Sequence, residues 1–497
     1  MFSYLPTLDS VKQHRIPAWF AGAKLGIFIH WGPYSVPGWA PRGGNLREVI
    51  AQHGDAYWFK HNPYAEWYCQ AMQIDGSPTQ RHHAETYGAH TPYATFGPQF
   101  NTAARMWKPS MWANLFHRAG ARYVVMVAKH HDGFLMWPST TPNPHRPDWH
   151  AERDCVGELA SAVRARGMRV GLYYSGGLDF TFKEDRADGS PELAAGTVVI
   201  RDFADMLTAI PNDPAYAAYA DAHWRELISR YKPSVLWNDI GYPASADLPA
   251  LFAYYYNTVR KGVVNDRFTQ VNLTGFGNLS GLVRKLIRWV VRRALTHPQS
   301  LIARLQAGGA HYDFRTPEYA TYTKVATRKW EATRGIGQSF GYNRNEQPED
   351  LISVKELIHL LADVVSKNGN LLLNVGPMAD GTIPPEQVER LEGLGAWLKI
   401  NGEAIFDTRP CSRAEGQTGD GLPVRFTEKD NALYAILLGK PQTDQVEIPD
   451  LSMPETARVY VLGYNAPFAW QQRGRNLALI LPRTLPDTPA VALKIVP

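Results

Sequence analysis

Eight short apolar runs recur through the first three-quarters of the chain: Leu25–Ile29, Tyr123–Ala128, Met168–Leu172, Val235–Trp237, Val263–Val264, Tyr312–Phe314, Gln338–Phe340 and Leu371–Val375. Several are unbroken aliphatic stretches, the pattern of strands buried on both faces of a parallel sheet. Helical patterns lie between them, for example Asp154–Arg166 before the third run and Tyr216–Tyr231 before the fourth. Such alternation defines an α/β chain, and eight repeats predict a (β/α)8-like barrel. The fifth and sixth runs are short, so the barrel is expected to be irregular there.

Two further helices are predicted. Pro348–Ser366 carries apolar residues at helical spacing and ends at Asn368-Gly369. Pro385–Ile400 has proline at its start and Asn401-Gly402 at its end. Beyond Phe406 the texture changes to short alternating segments divided by Gly, Pro and Asn/Asp turns, which predicts a C-terminal antiparallel β-sandwich domain. A chain of 497 residues exceeds one ordinary core. The expected division is a barrel over 1–404 and a sandwich over 405–497.

A basic helical insert at about 275–310 interrupts this plan. Gly281–Leu305 places Arg284, Arg288 and Arg292 at i, i+4 spacing on an apolar helix. Such a helix can lie on a membrane surface or dock on a partner. The preferred reading is a surface helix that packs its apolar side on the barrel or on a second subunit, giving a homo-oligomer. Membrane association is not expected, since no run of about 18 uninterrupted apolar residues exists. The 52 basic and 47 acidic residues nearly balance and form no long Lys/Arg tract, so nucleic acid is not an expected partner. Three scattered cysteines offer neither a disulfide framework nor metal-ligand spacing. No signal-peptide pattern opens the sequence, and a cytoplasmic location is expected by default.

The C-terminal strand ends of a parallel barrel are where chemistry collects, and here they are unusually polar. The fourth run, in SVLWNDIGYP, delivers Asp239 just past Trp237, although an Asp there can also simply cap the next helix. The first run ends in His30 and Trp31, and the second leads into His130, His131 and Asp132. The third passes through Tyr173 to Gly176 and Gly177, a pair expected to let backbone approach a ligand closely. Glu66 and Trp67 sit in a turn-rich loop, Arg267 follows the fifth run, and Glu318 and Glu331 follow the sixth. Adjacent histidines on a regular strand point to opposite faces, so His130 and His131 are read as hydrogen-bonding groups, with no metal expected.

Nine ordered stretches resemble α-L-fucosidases of glycoside hydrolase family 29: GIFIHWGPYSVPGWAP, NPYAEWY, YVVMVAKHHDGF, GLYYSGGLDF, VLWNDIGYP, VNDR, DFRTPEY, RKWEATRGIGQSFGYNRNE and NGNLLLNVGPMADGTIP. The resemblance implies a barrel with a β-sandwich and hydrolysis of terminal α-L-fucosides with retention, without metal or cofactor. It places the nucleophile at Asp239 and the acid/base at Glu318, with Glu331 as the alternative. It puts His30, Glu66, Trp67, His130, His131, Tyr173, Trp237, Arg267 and Phe340 around the fucose. An α-L-galactosidase-like glycosidase and a non-catalytic fucose-binding protein are the rival readings.

Retention needs two carboxyl groups about 5–5.5 Å apart, one ionised and one protonated. Donors His130, His131 and Arg267 are expected to keep Asp239 ionised, and Glu318 is expected in a less cationic setting. Trp67, Trp237 and Phe340 are expected to cover the sugar's apolar edge and 6-methyl group.

Overall fold

Leu25–Ile29 is apolar throughout because both its faces are buried, and the same holds for most strands that flank it. A computed structural model of the chain describes residues 3–497 apart from 45, 183–198, 212, 271–280, 298–310, 483, 484 and 486. Seven parallel strands form one curled sheet in the order β5-β4-β3-β2-β1-β7-β6. They are β1 (Leu25–Ile29), β2 (Tyr123–Lys129), β3 (Arg169–Ser175), β4 (Val235–Asp239), β5 (Val263–Val264), β6 (Trp330–Gly335) and β7 (Gly369–Val375).

Side-chain alternation divides this sheet into two cores. Phe28, Val125, Val127, Tyr173, Val235, Trp237 and Leu372 pack inside the curl. Leu25, Ile27, Val124, Met126, Leu236, Leu371 and Leu373 belong to the larger core outside it. Helices cover that outer face, among them Cys155–Ala165, Pro214–Tyr231 and Leu248–Thr258. Interior positions run upward at every second residue, so Val235 and Trp237 are followed on the same face by Asp239.

Two expected strands are not strands. Among the described residues Tyr312–Phe314 makes a single bridge, Phe314 to Asn265 on one side, and Arg315 just past it makes another to Trp330 on the other side. The segment around it still fills the gap between β5 and β6, with Asp313 N donating to Val264 O (2.9 Å) and Thr333 N to Pro317 O (3.1 Å). It thereby closes the (β/α)8-like barrel at its irregular side and carries Glu318 to the level of Thr333. Gln338–Phe340 is a loop, and the strand is β6, whose sequence WEATRG hides it. The helix expected at Pro348–Ser366 starts later, at Val354, where Ser353 and Glu356 form a capping box.

The Gly281–Thr296 helix reverses the expected orientation. Its arginines face the protein: Arg284 meets Asp202 (2.8 Å) and Asp205 (2.7 Å), and Arg288 meets Asp55 (2.6 Å). Leu282, Leu286 and Trp289 are left 80%, 59% and 56% exposed. Three largely buried acids need cationic partners, and leaving all three charges unpaired costs more than exposing three apolar side chains. The parts of the insert at 275–280 and 298–310 lie outside the described residues. Among the described residues no helix is long and apolar enough to cross a membrane.

The C-terminal strands are antiparallel and form a five-stranded sheet and a three-stranded sheet. Val424, Phe426, Leu437, Ile448, Leu479 and Leu493 fill the space between them. This sandwich rests on the helices Val354–Ser366 and Pro385–Asn401. Trp397 Nε1 donates to Ala490 O (2.9 Å), and Arg425 Nε meets Asp363 (2.6 Å).

Candidate active site

β4 ends at Asp239, and the chain leaves it sharply. Ile240 has φ 53° and Gly241 φ 86°. A β-branched residue in the left-handed region is a strained exit, retained where the surroundings impose it. Gly177 is part of that surrounding: a Cβ there would overlap the carbonyl oxygen of Ile240, and its N–H donates to Asp239 O at 3.1 Å. The Gly176-Gly177 pair thus permits close approach of two loops of the protein, where the sequence suggested close approach of a ligand.

Asp239 Oδ1 accepts from Arg267 Nη1 at 2.7 Å, and Oδ2 from the Tyr173 hydroxyl at 2.8 Å. Burial pushes the carboxyl up, but Arg267 and the Tyr173 hydroxyl outweigh it and hold Asp239 below the usual carboxylate range, without the help expected from His130 and His131, which are neutral. Glu318 Oε1 accepts from the Tyr64 hydroxyl at 2.8 Å, and Oε2 lies 3.4 Å from Arg267 Nη2. Burial dominates here, so Glu318 is raised despite Arg267 and Tyr64. The less cationic setting expected for Glu318 is therefore not what the protein uses: desolvation raises the carboxyl with a guanidinium nearby. One planar guanidinium spans both carboxyl groups, itself fixed by Thr316 Oγ1 (2.9 Å) and Thr316 O (3.0 Å) and lying 4.7 Å from the centre of the Trp237 ring.

The imidazoles are neutral. Burial lowers His30 to about 4 and His131 to about 3, and takes His130 far down as well. Ser175 Oγ donates to Leu178 O, so His131 Nδ1, 2.6 Å from that hydroxyl, is the donor and its Nε2 is left as an acceptor. That Nε2 is 3.9 Å from Asp239. His30 Nδ1 is fixed by Asn374 Oδ1 at 2.7 Å, and Asn374 Nδ2 donates to Phe340 O. Among the described residues His130 Nδ1 meets no hydrogen-bond partner, and its ring stacks on Tyr173 at 5.7 Å. Both His130 and His131 line the same pocket. The register of β2 shifts between Val127 and Lys129, and the strand ends there, so strand alternation does not govern them.

Glu66 accepts from Gly341 N at 2.7 Å, and burial raises it to about 8, so it is a neutral acid at pH 7. Trp67 meets His131 edge-on at 4.9 Å, and Phe340 packs on His30 and Tyr64. His30, Glu66, Trp67, His130, His131, Tyr173, Trp237, Asp239, Arg267, Glu318 and Phe340 all border one cavity of about 760 Å³, its open mouth included. Glu331 does not. It is fully buried one layer deeper inside the barrel, bonded to the Tyr123 hydroxyl and, at 2.9 Å, to Trp237 Nε1.

Sequence reasoning passed over Tyr64, which lies within NPYAEWY two residues before Glu66, and Asn374 and Thr316, which act through their neighbours. Among the described residues the grouping able to hold a metal is His14, His311 and Asp313, with ligand atoms within 4.8 Å of one another. Asp313 is already engaged by His14 (2.8 Å), Tyr256 (2.9 Å) and Val264 N (2.8 Å), and none of the three borders the cavity.

Two buried carboxyl groups on one pocket, one shifted down and the other up from the ordinary carboxyl range, with aromatic rings and neutral imidazoles around them, are the equipment of a glycoside hydrolase. Residues 2–403 match the family model for α-L-fucosidase, and residues 421–496 match that for the α-L-fucosidase C-terminal domain. The chain belongs to the α-L-fucosidase family, glycoside hydrolase family 29, and its activity is the hydrolysis of α-L-fucosides. It is 41% identical to the Thermotoga maritima α-fucosidase crystallised with a mechanism-based inhibitor, with a TM-score of 0.81 over 99% of this chain and 100% of that one. It is 31% identical to tissue α-L-fucosidases of Rattus norvegicus and Homo sapiens, over 98% and 97% of this chain and 89% of each relative.

Proposed function

We propose that this enzyme cleaves α-L-fucosides by double displacement with net retention, Asp239 serving as nucleophile and Glu318 as acid/base. The observation that carries this is the opposite displacement of the two carboxyl groups within the span of Arg267, Asp239 shifted down and Glu318 shifted up from the ordinary carboxyl range. In the first step an Asp239 oxygen bonds to the anomeric carbon while the glycosidic bond breaks and Glu318 gives its proton to the departing oxygen. In the second, Glu318 takes a proton from water, whose oxygen displaces Asp239 and regenerates both groups. Arg267 steadies Glu318 when it is a carboxylate. Its attachment to Thr316 and its seat over Trp237 keep its charge beside the carboxylates and off the developing oxocarbenium.

Neutral His30, His130 and His131, with the protonated Glu66, suit a sugar's hydroxyl groups, which need both donors and acceptors. The inhibitor-bound Thermotoga maritima relative is in keeping with a covalent intermediate. The depth of Glu331, with both its oxygens engaged, favours Glu318 over it as the acid. The test is NMR of the first-formed product from an aryl α-L-fucoside: α-L-fucose supports retention, and β-L-fucose overturns it.

A further inference from the structure

The pocket is built from two chemically different halves. Its floor is the strand ends, with their carboxyl groups, imidazoles and Arg267. Its wall comes from short helices that lie outside the barrel order: Leu46 from Leu46–His53, Phe59 from Asp55–Lys60, Phe203 and Met206 from Phe203–Thr208, and Val291 from Gly281–Thr296. These side chains offer a ligand no hydrogen bond. Hydrocarbon is what they can take out of water.

The wall is held in place by charge. Arg284 binds Asp202 and Asp205, Arg288 binds Asp55 through two nitrogens, and Phe203 N donates to Asp55 Oδ2 at 3.2 Å. One ionic cluster thus ties together three of the helices that supply the apolar side chains, and turns Val291 toward the cavity. A run of ring contacts links the wall to the acid. Tyr64, bonded to Glu318, meets Trp58 at 5.3 Å, Trp58 meets Phe59 at 5.0 Å, and Phe59 meets Phe203 at 5.6 Å.

We infer that this wall receives the leaving group, and that the enzyme selects α-L-fucosides whose aglycone is apolar, alkyl or aryl, with Val291 and Met206 as specificity determinants. The inference rests on Glu318 being the acid, since it is to that residue that the ring contacts link the wall.

The test compares kcat/KM for octyl and methyl α-L-fucoside below the micellar concentration of the former. Both leaving groups are simple alkanols of similar acidity, so their ratio reports buried hydrocarbon. A fully buried methylene is worth roughly fourfold, and two or more methylenes against the wall give an octyl:methyl ratio of at least about tenfold. Val291→Asp and Met206→Glu are each expected to cut that ratio by about fivefold or more, and Arg288→Gln, which releases the helix from Asp55, to move it the same way. Val291→Thr, nearly the same shape, supplies the comparison if the Asp variant fails to fold and is expected to lower the ratio less. A wild-type ratio near one, or a ratio untouched by the Val291 and Met206 substitutions, overturns the inference. Activity of Glu318→Ala on both alkyl fucosides tests the acid separately. If that variant hydrolyses them like wild type, the reading of Glu318 fails and the inference with it. If it is inactive and the ratio is one, the wall proposal alone fails.

Discussion

Nη1 of Arg267 stands 2.7 Å from Oδ1 of Asp239, and the opposite oxygen of the same carboxylate takes the Tyr173 hydroxyl. Two charge-assisted hydrogen bonds on a buried acid hold it ionised and fix the direction of its lone pairs. Removing the carboxylate should therefore remove the first chemical step while leaving the pocket standing. Asp239→Gly is expected to lose roughly 10³-fold or more in kcat on aryl α-L-fucosides. Added azide should enter the vacated space and restore turnover, giving β-L-fucosyl azide. An α-configured azide from this variant contradicts the nucleophile role.

Glu318 and Glu331 are thirteen residues apart in the sequence and sit in different layers of the barrel, so their removal should look different. Glu318→Ala is expected to lose about 10²–10⁴-fold on alkyl fucosides and far less on aryl fucosides with activated leaving groups. Azide should then produce the α-configured adduct. Glu331→Gln keeps an acceptor for Trp237 Nε1 and should show no such dependence on leaving group. Kinetics across a series of leaving groups read both outcomes, and the dependence appearing in the Glu331 variant reassigns the acid.

The pH profile separates the partners of the two acids. Activity needs Asp239 ionised and Glu318 protonated, so kcat/KM on a poor leaving group rises with Asp239 ionisation and falls as Glu318 loses its proton. Tyr64 donates to Glu318 and thereby favours its carboxylate form. In Tyr64→Phe the Glu318 carboxyl holds its proton to higher pH, and the alkaline limb moves up alone. Arg267 favours the carboxylate form of both acids, so Arg267→Gln should move both limbs upward. An alkaline limb unmoved by Tyr64→Phe detaches it from Glu318.

What a single sequence revealed of this molecule follows from which interactions are local. β1, β2 and β7 announce themselves by continuous apolar runs, in β7 the Leu371–Leu373 core of GNLLLNV. β6 does not, because WEATRG puts Glu331 and Thr333 toward the barrel interior, where Glu331 is matched by Tyr123 and Trp237 from distant strands. Gln338–Phe340 misled for the converse reason, since Phe340 is apolar to line a pocket. Motif resemblance picked out residues that border one cavity, including His130 and His131, whose shared orientation a regular strand would have forbidden. The inward arginines of the Gly281–Thr296 helix could not be read from its own periodicity, because their partners Asp55, Asp202 and Asp205 lie about 80 to more than 200 positions away.

Behind His131 lies a pair whose burial makes it a strong test of the scaffold. Lys129 Nζ and Asp179 Oδ2 are 2.7 Å apart with both side chains inaccessible. The ammonium also faces the Tyr174 ring at 4.6 Å, and Asp179 Oδ1 accepts from Thr181 N at 3.0 Å. One residue further on, Phe180 N donates to His131 O at 2.8 Å, so the loop that carries Asp179 also holds the histidine loop. Burial pushes Lys129 down, and Asp179 is the largest influence opposing it. Asp179→Ala strands that charge and is expected to cost about 3–5 kcal/mol in unfolding free energy. The double substitution Lys129→Met with Asp179→Leu removes both charges and should recover most of the loss, because a buried pair contributes little beyond its own desolvation. Urea denaturation of the single and double variants measures this. If the double variant is as unstable as Asp179→Ala, the loop depends on the charges themselves.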